Sequence, residues 1–247
     1  MKRLLLIVGV ALLGASGSAN AVQYTVTLLD TLGGNDAIAF AINNSGQVVG
    51  GASLVNGLQP ATIWNGTVAT QVGSYAGPAY DINNSGQVVF DSGNNSHATI
   101  WNGTLATDLG TLGGTRSYAR GINDSGQVVG AASTLGNRAL HATIWNGTVA
   151  TDLGTLGGTG SYAYVINNSG QVVGWAKTTN DRSFNATIWN GTVATQLGAA
   201  NSKAYAINNQ GQVVGDVDSY ATLWEGTSAT RLNGLGGIGS TLLTSTI

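Results

Sequence analysis

Hydrophobic and polar positions recur along this chain with a period of about forty residues. A string close to Ile-Asn-Asn-Ser-Gly-Gln-Val-Val occurs five times, with spacings of 40, 40, 44 and 41 residues, starting at Ile42, Ile82, Ile122, Ile166 and Ile207. A second string, close to Ala-Thr-Ile-Trp-Asn-Gly-Thr-Val-Ala-Thr, follows each first one and starts at Ala61, Ala98, Ala142, Ala186 and Ala221. A fixed period of this kind predicts a repeat architecture with five complete units.

Each unit predicts two β-hairpins. In the first unit the β-branched and aromatic run at 62–64 is followed by Asn-Gly at 65–66 and then by a second strand-like run. Asn-Gly indicates a tight hairpin, because both turn residues need positive φ. The earlier hairpin turns through Asn-Asn-Ser-Gly at 43–46, where Asn tolerates and Gly favours the left-handed region. No unit carries a helical period, so each is expected to form four short antiparallel strands.

Four strands in about forty residues, repeated five times, predict an all-β propeller of four-stranded antiparallel blades. A β-solenoid normally has shorter repeats with one parallel strand each. Linkers such as Leu-Gly-Thr-Leu-Gly-Gly at 109–114 suit the crossing from the outer strand of one blade to the inner strand of the next. A ring leaves few free strand edges, which suits a chain with only 8% charged residues.

The two ends of the repeat region leave the number of blades open. Residues 24–29, followed by Thr-Leu-Gly-Gly at 31–34, resemble the fourth strand and linker of a unit without its first three strands. Residues 235–240, which run on to Ile247, resemble the linker and first strand of a sixth unit. The alternatives are a partial sixth blade, closure of a five-bladed ring, or a truncated gene product. We expect five complete blades in a single domain spanning 22–247.

The N-terminus has the three parts of a secretory signal peptide. Lys2 and Arg3 precede an apolar run from 4 to 13, and small residues end in Ala-Asn-Ala at 19–21. This pattern predicts cleavage near Ala21. No later stretch reaches 18 apolar residues, so we expect a mature chain without a transmembrane segment, secreted or periplasmic.

Charge and composition exclude several classes of function. Without the two basic residues of the signal peptide, seven basic residues remain against 11 acidic ones, and they form no cluster. Nucleic-acid binding is therefore not expected. The chain has no Cys, which excludes disulfides, a thiol nucleophile and a cysteine metal site.

The repeat resembles the HAF-repeat family of extracellular proteins. The similar segments are Leu-Gly-Thr-Leu-Gly-Gly at 109–114 and 153–158, Ser-Tyr-Ala-x-x-Ile-Asn at 117–123 and 161–167, and His-Ala-Thr-Ile-Trp at 97–101 and 141–145. The chain departs from the family at the tripeptide that names it, where Phe is replaced by Thr99 and Thr143. The resemblance implies a secreted repeat protein and no particular activity. Residues 240–247 lack the sorting motif of some relatives, which puts surface anchoring in doubt and leaves release or retention at the envelope open.

One acidic residue stands out in the predicted inner strands. Asp81 occupies a position that is Ala, Gly or Val in the other units, on the strand that lies nearest the axis of a propeller. It is a candidate ligand-binding residue. Glycoside hydrolysis requires two carboxyl groups, and the candidate partners for Asp81 are Asp36 and Asp216.

A column of aromatic residues forms the second candidate site. Two residues before each repeated Ile stand Phe40, Tyr80, Arg120, Tyr164 and Tyr205. Such rings offer stacking surfaces for sugars, and we take Tyr80, Arg120, Tyr164 and Tyr205 as candidate ligand contacts. The alternative is that strand alternation places these side chains on the face of the Ile, packed between blades.

No metal or cofactor is expected. His97 and His141 lack partners at metal-ligand spacing, and Asn-Asp-Ser-Gly at 123–126 has too few acids for a calcium loop. The five repeated Trp residues indicate blade packing, whereas Trp175 lies outside that series and is a candidate surface contact.

These observations favour an exported, non-enzymatic binding scaffold. Its expected partners are a glycan, an envelope component or another extracellular protein. Two alternatives remain, a polysaccharide-cleaving propeller and a purely structural matrix protein.

Overall fold

The computed structural model describes residues 25–93, 96–179 and 181–232, which form five four-stranded antiparallel sheets with their strands in chain order. The predicted signal peptide and the predicted start of a sixth unit, at 235–247, lie outside the described residues. The strands β1 to β20 are, in order, Gly33–Ile42, Val48–Leu54, Pro60–Asn65, Val68–Ala76, Ala79–Ile82, Val88–Ser92, His97–Trp101, Ala106–Asp108, Gly113–Ile122, Val128–Thr134, Leu140–Asn146, Val149–Asp152, Gly157–Ile166, Gln171–Thr178, Phe184–Asn190, Val193–Gln196, Ser202–Ile207, Gln212–Val217, Tyr220–Glu225 and Ser228–Arg231.

Each sheet is one sequence unit, so the prediction of five complete blades is confirmed. Blades 1 to 5 are β1–β4, β5–β8, β9–β12, β13–β16 and β17–β20. Both predicted hairpin turns are present, and their glycines have positive φ, 76° at Gly46 and 63° at Gly66. The fold is an all-β propeller.

The inner strand of every blade contains a bulge two residues before its repeated Ile. In blade 3, Ala119 pairs with Gly130 and Gly121 with Val129, so Arg120 is the extra residue on the inner strand. The same irregularity leaves Phe40, Tyr80, Tyr164 and Tyr205 unpaired in the other blades. A bulge reverses the alternation of side chains and re-aims one of them. The expectation that these residues share the face of the Ile is therefore wrong.

The hydrophobic core lies between neighbouring blades. Between blades 2 and 3, Val89 packs with Ala119 and Ile122, and Leu109 of the linker completes the cluster. The repeated Trp side chains are fully buried in four blades, at Trp64, Trp145, Trp189 and Trp224. Their predicted role in blade packing is confirmed.

The blades follow one another around a common axis. Each inner strand packs on the next, in the order β1, β5, β9, β13 and β17, and no strand of blade 5 packs closely on blade 1 in the described part of the chain. The only helical segment among the described residues is a 3-10 turn at Leu135–Asn137. Within the same residues, no helix has the length and apolar character needed to span a membrane.

Candidate functional site

A polar cavity opens on the axis, at the end where the Asn-Asn-Ser-Gly turns lie. Its volume is about 480 Å³, and all five blades contribute equivalent residues to its wall. The wall consists mainly of the two asparagines of each turn and the isoleucine before them, with Asp124 at one of the asparagine positions. Asp81 also lines it.

In blades 1 to 4, the first asparagine of the turn links its blade to the next one. Its Nδ2 donates to the carbonyl oxygen of the equivalent asparagine at 3.0 to 3.2 Å, in a series from Asn43 through Asn83, Asn123 and Asn167 to Asn208. We call these five residues the asparagine belt. The Oδ1 atom of each accepts backbone N–H groups of its own turn, as at Ser45 and Gln47 in blade 1. The sequence indicated only turn formation here, and the link between blades was missed.

Asp81 also joins two blades. Its Oδ1 accepts the N–H of Ile82 at 2.8 Å, and its Oδ2 accepts the N–H of Ile122, in the next blade, at 2.9 Å. Burial raises the pKa of Asp81 to about 6, although the two backbone donors oppose the shift. Asp81 therefore has a structural role in joining blades 2 and 3, and it also lines the cavity.

A second carboxyl group lines the same cavity. Asp124 accepts hydrogen bonds from the backbone N and Nδ2 of Asn84 and from Nδ2 of Asn168, and these bonds lower its pKa. Asp36 and Asp216 are the partners of Asp81 expected from the sequence. Neither residue lines the cavity, so the proposed pairs do not meet there.

The bulge residues form a second site further along the inner strands. The guanidinium carbon of Arg120 lies 4.2 Å from the ring centroid of Tyr80 and 5.7 Å from that of Tyr162. The ring of Tyr164 lies 5.4 Å from Tyr162 and 5.8 Å from Tyr205. Because none of these residues lines the polar cavity, Arg120 and Asp81 do not share a pocket.

A partly buried ion pair fixes Arg120. Its Nη1 donates to Asp91 Oδ2 at 2.9 Å, and the side chains are 24% and 13% exposed. Asp91 Oδ1 accepts the N–H of Ala119 at 2.8 Å, so one carboxylate binds both the backbone and the side chain of the next blade. Burial raises the pKa of Asp91, and the guanidinium limits this rise.

Aromatic rings extend this site across blades 4 and 5. Trp175 stacks on Tyr162 at 6.4 Å, contacts Phe184 edge-on at 5.9 Å, and donates from Nε1 to the hydroxyl of Tyr164 at 3.1 Å. All five rings of this aromatic surface are partly exposed; they belong to Tyr162, Tyr164, Trp175, Phe184 and Tyr205. Burial raises the pKa values of its three tyrosines, which keeps their hydroxyls protonated.

The two histidines each have a carboxylate partner, contrary to the expectation from the sequence. His97 Nδ1 lies 2.6 Å from Asp108 Oδ2, and His141 Nδ1 lies 2.7 Å from Asp152 Oδ2. The repeats contained a signal, since the units with His at this position are those with Asp at the end of the fourth strand. The described residues contain no group of three metal-ligating side chains.

Comparison with known proteins supports the fold alone. No family model matches the chain, and no curated protein matches it. Among solved structures it is similar to the β-propeller domain of the trilobed protease from Pyrococcus furiosus, which is described as having an open velcro topology. The match has a TM-score of 0.53 and 10% identity, and it covers 82% of this chain and 69% of that one.

Proposed function

We propose that this protein is an exported, non-enzymatic binding scaffold whose ligand is a carbohydrate bound on the aromatic surface. The observation that carries the proposal is the bulge in every inner strand. The bulge turns an aromatic or guanidinium side chain of each blade toward the equivalent side chains of the neighbouring blades. In blades 4 and 5 the rings at the bulges lie next to each other and are partly exposed.

The chemistry of the surface suits a sugar. The rings of Trp175 and Phe184 provide apolar faces, and the faces of pyranose rings carry C–H groups that pack on aromatic rings. Lys203, with Nζ 4.9 Å from the Phe184 centroid, and the phenolic hydroxyls provide donors for sugar oxygens. A few polar groups among apolar walls are typical of small-molecule sites.

Export is part of the same proposal. The basic start, apolar run and Ala-Asn-Ala at 19–21 support secretion, as does the resemblance of the repeats to the HAF family. N-terminal sequencing of protein recovered outside the cytoplasm should begin at Val22. Recovery of a cytoplasmic protein that begins at Met1 would contradict export.

The binding test is a glycan-array screen of chain 22–247 with variants of the surface. We expect saturable binding of a glycan, lost or weakened at least tenfold by Trp175→Ala. Tyr220→Ala is the matched control, because Tyr220 is a partly exposed tyrosine that packs on Arg231 at the outer strands. Failure to bind any glycan, or equal loss in Tyr220→Ala, would contradict the proposal and favour an extracellular protein partner or a structural role.

A second candidate function is polysaccharide cleavage in the polar cavity. It is favoured by one observation, that Asp81 and Asp124 line the same cavity while their pKa values shift in opposite directions. A pair of carboxyl groups can act as general acid and general base only when their pKa values differ, so that one is protonated while the other is ionised. Release of reducing ends from polysaccharides at pH 5 to 6, abolished in both Asp81→Asn and Asp124→Asn, would establish it. No release would exclude it for the polysaccharides assayed.

A further inference from the structure

Each inner strand turns one backbone N–H group toward the axis, at the repeated isoleucine. In all five blades this isoleucine pairs with the first valine of the second strand, as Ile122 does with Val128. The asparagine that follows donates its N–H to the second strand, at 3.0 Å from Asn123 to the carbonyl oxygen of Gln127. Because successive N–H groups of a strand point to opposite sides, the isoleucine N–H points away from the second strand and toward the polar cavity.

Two of these N–H groups bind a carboxylate that belongs to the chain itself. Asp81 accepts the N–H of Ile82 at 2.8 Å and that of Ile122, in the next blade, at 2.9 Å. Hydrogen bonds from N–H groups to an ionised oxygen are stronger than those between neutral groups. The axial edges of two neighbouring inner strands are therefore able to hold one carboxylate between them.

Blades 4 and 5 present the same pair of N–H groups without a side chain that accepts them. Ile166 and Ile207 pair with their second strands in the same register, and both line the cavity. Val165 precedes Ile166 at the position of Asp81, and its side chain has no polar atom. Within the described part of the chain, no side chain accepts a hydrogen bond from either N–H group. These two groups are therefore available to a carboxylate that enters the cavity.

The charges on the wall of the cavity are all of one sign. Asp81 and Asp124, in blades 2 and 3, line it, and no Lys, Arg or His among the described residues does so. Burial is the main cause of the raised pKa of Asp81, and the charge of Asp124 adds to the rise. One side of the cavity therefore attracts a cationic group, whereas the isoleucine N–H groups of blades 4 and 5 attract an anionic one.

We infer that this cavity binds a small zwitterion of about the size of a dipeptide. The carboxylate of the ligand accepts the N–H groups of Ile166 and Ile207, and its ammonium group lies near Asp81 and Asp124. A ligand with a single charge would match only one side of the cavity. The volume of about 480 Å³ lies within the range of about 300–1,000 Å³ for small-molecule sites. The site is separate from the aromatic surface, so the inference does not depend on carbohydrate binding there.

Nuclear magnetic resonance on the unsubstituted chain, labelled with ¹⁵N-isoleucine, tests the site directly. The probes are glycyl dipeptides that carry each of the twenty side chains at the C-terminal position. We expect saturable shifts of the Ile166 and Ile207 amide signals with at least one dipeptide. The signals of Ile82 and Ile122 should move less, because Asp81 already accepts their N–H groups. No saturable shift with any dipeptide, or equal shifts at all four amides, would overturn the inference.

Blocking each charge of the dipeptide that binds best tests the two sides of the cavity separately. Its N-acetyl derivative lacks the ammonium group, and its C-terminal amide lacks the carboxylate. We expect the Kd of each derivative to be at least tenfold higher than that of the parent dipeptide. If only the N-acetyl derivative bound more weakly, the cavity would be a site for a simple cation, and the inferred role of the N–H groups would be wrong.

A substitution that supplies an internal carboxylate should block the site. Val165→Asp places a carboxylate where it can accept the N–H groups of Ile166 and Ile207, as Asp81 does in blade 2, so we expect loss of dipeptide binding. Val165→Ala is the matched control, because it shortens the same side chain without adding an acceptor, and it should still bind. Undiminished binding by Val165→Asp, or equal loss in Val165→Ala, would contradict the site. If Val165→Asp does not fold, the amide shifts of the unsubstituted chain decide the question.

Discussion

The side-chain amide of Asn83 donates a hydrogen bond to the carbonyl oxygen of Asn123, 40 residues further along the chain, at 3.0 Å. The same side chain accepts the N–H groups of Ser85 and Gln87 and so fixes its own turn. One asparagine therefore shapes a hairpin and joins it to the next blade. Repetition of this bond around the axis explains why the turn sequence hardly varies between units.

Asn83→Ala should destabilise the protein clearly. Asn83 is 3% exposed, and its loss leaves buried backbone groups of two blades without partners. Each such group costs about 1–3 kcal/mol, so we expect a loss of about 3 kcal/mol in the free energy of unfolding. Urea unfolding monitored by Trp fluorescence measures it.

Asn208→Ala, at an exposed asparagine, is the control that removes the turn bonds without a described link to a following blade. Asn208 makes the same turn bonds but donates only within its own turn in the described part of the chain, to Gln210 and Gln212. We expect a loss of about half that of Asn83→Ala. Equal losses would show that the link between blades adds nothing.

The repeats predicted the blades because the determinants of a hairpin are local. Asn65-Gly66 fixes a turn whatever surrounds it, and five copies in series require a repeat fold. The bulge at Arg120 could not be predicted in this way, because it depends on how two strands are paired. Strand alternation therefore placed this residue on the wrong face.

Contacts across strands were predictable only by comparing the units with one another. His97 and Asp108 are 11 residues apart, and neither is unusual alone. Blade 5 has Tyr220 and Arg231 at the same two positions, and they too are in contact. The Asp91–Arg120 pair occurs once and joins two blades, so the repeats carried no signal for it.

Gly130→Ala should prevent normal folding of blade 3. A Cβ atom at this position would lie 1.8 Å from the carbonyl oxygen of Tyr118, at the bulge. The backbone would have to move, so we expect a loss of more than about 3 kcal/mol or no soluble protein. Gly147→Ala, in a turn with open space, should cost only about 1 kcal/mol for its positive φ. Similar thermal midpoints for the two variants would refute the clash.

Asp81 should make stability fall as the pH rises. Its folded pKa of about 6 exceeds the ordinary value of 3.8, so the folded state holds the proton more tightly. Relative to Asp81→Ala, the wild type should lose about 2 kcal/mol in its free energy of unfolding between pH 4 and pH 7.5, most of it below pH 6. Urea unfolding at several pH values measures the difference.

Asp124→Asn provides a control of opposite sign. The pKa of Asp124 is lowered by the hydrogen bonds from Asn84, so its contribution is present above the ordinary pKa of 3.8 and is lost as the pH falls below it. The wild type should therefore weaken relative to Asp124→Asn only in acid. If the free energy of unfolding changed with pH in the same direction for both aspartates, the environments assigned to Asp81 and Asp124 would be contradicted.

Removing one member of the Asp91–Arg120 pair should cost more than removing both. Arg120→Tyr restores the residue type of three other blades but leaves a partly buried carboxylate without its cation. We expect the free energy of unfolding to fall by about 3 kcal/mol, the lower end of the range for broken buried pairs. Asp91→Ala combined with Arg120→Tyr should recover more than half of that loss. A double-mutant cycle measures the coupling, and additive losses would show that the pair is not coupled.

The most direct test of the proposed function is a titration of Trp175 fluorescence with the glycan that binds best on the array. The repeated Trp side chains of blades 1, 3, 4 and 5 are fully buried, and Trp101 of blade 2 is partly exposed. The variant Trp175→Phe separates the signal of Trp175 from that of Trp101. We predict a saturable change in the wild type that is absent in Trp175→Phe. An equal change in Trp175→Phe, or none in the wild type at saturating glycan, would contradict binding at this surface.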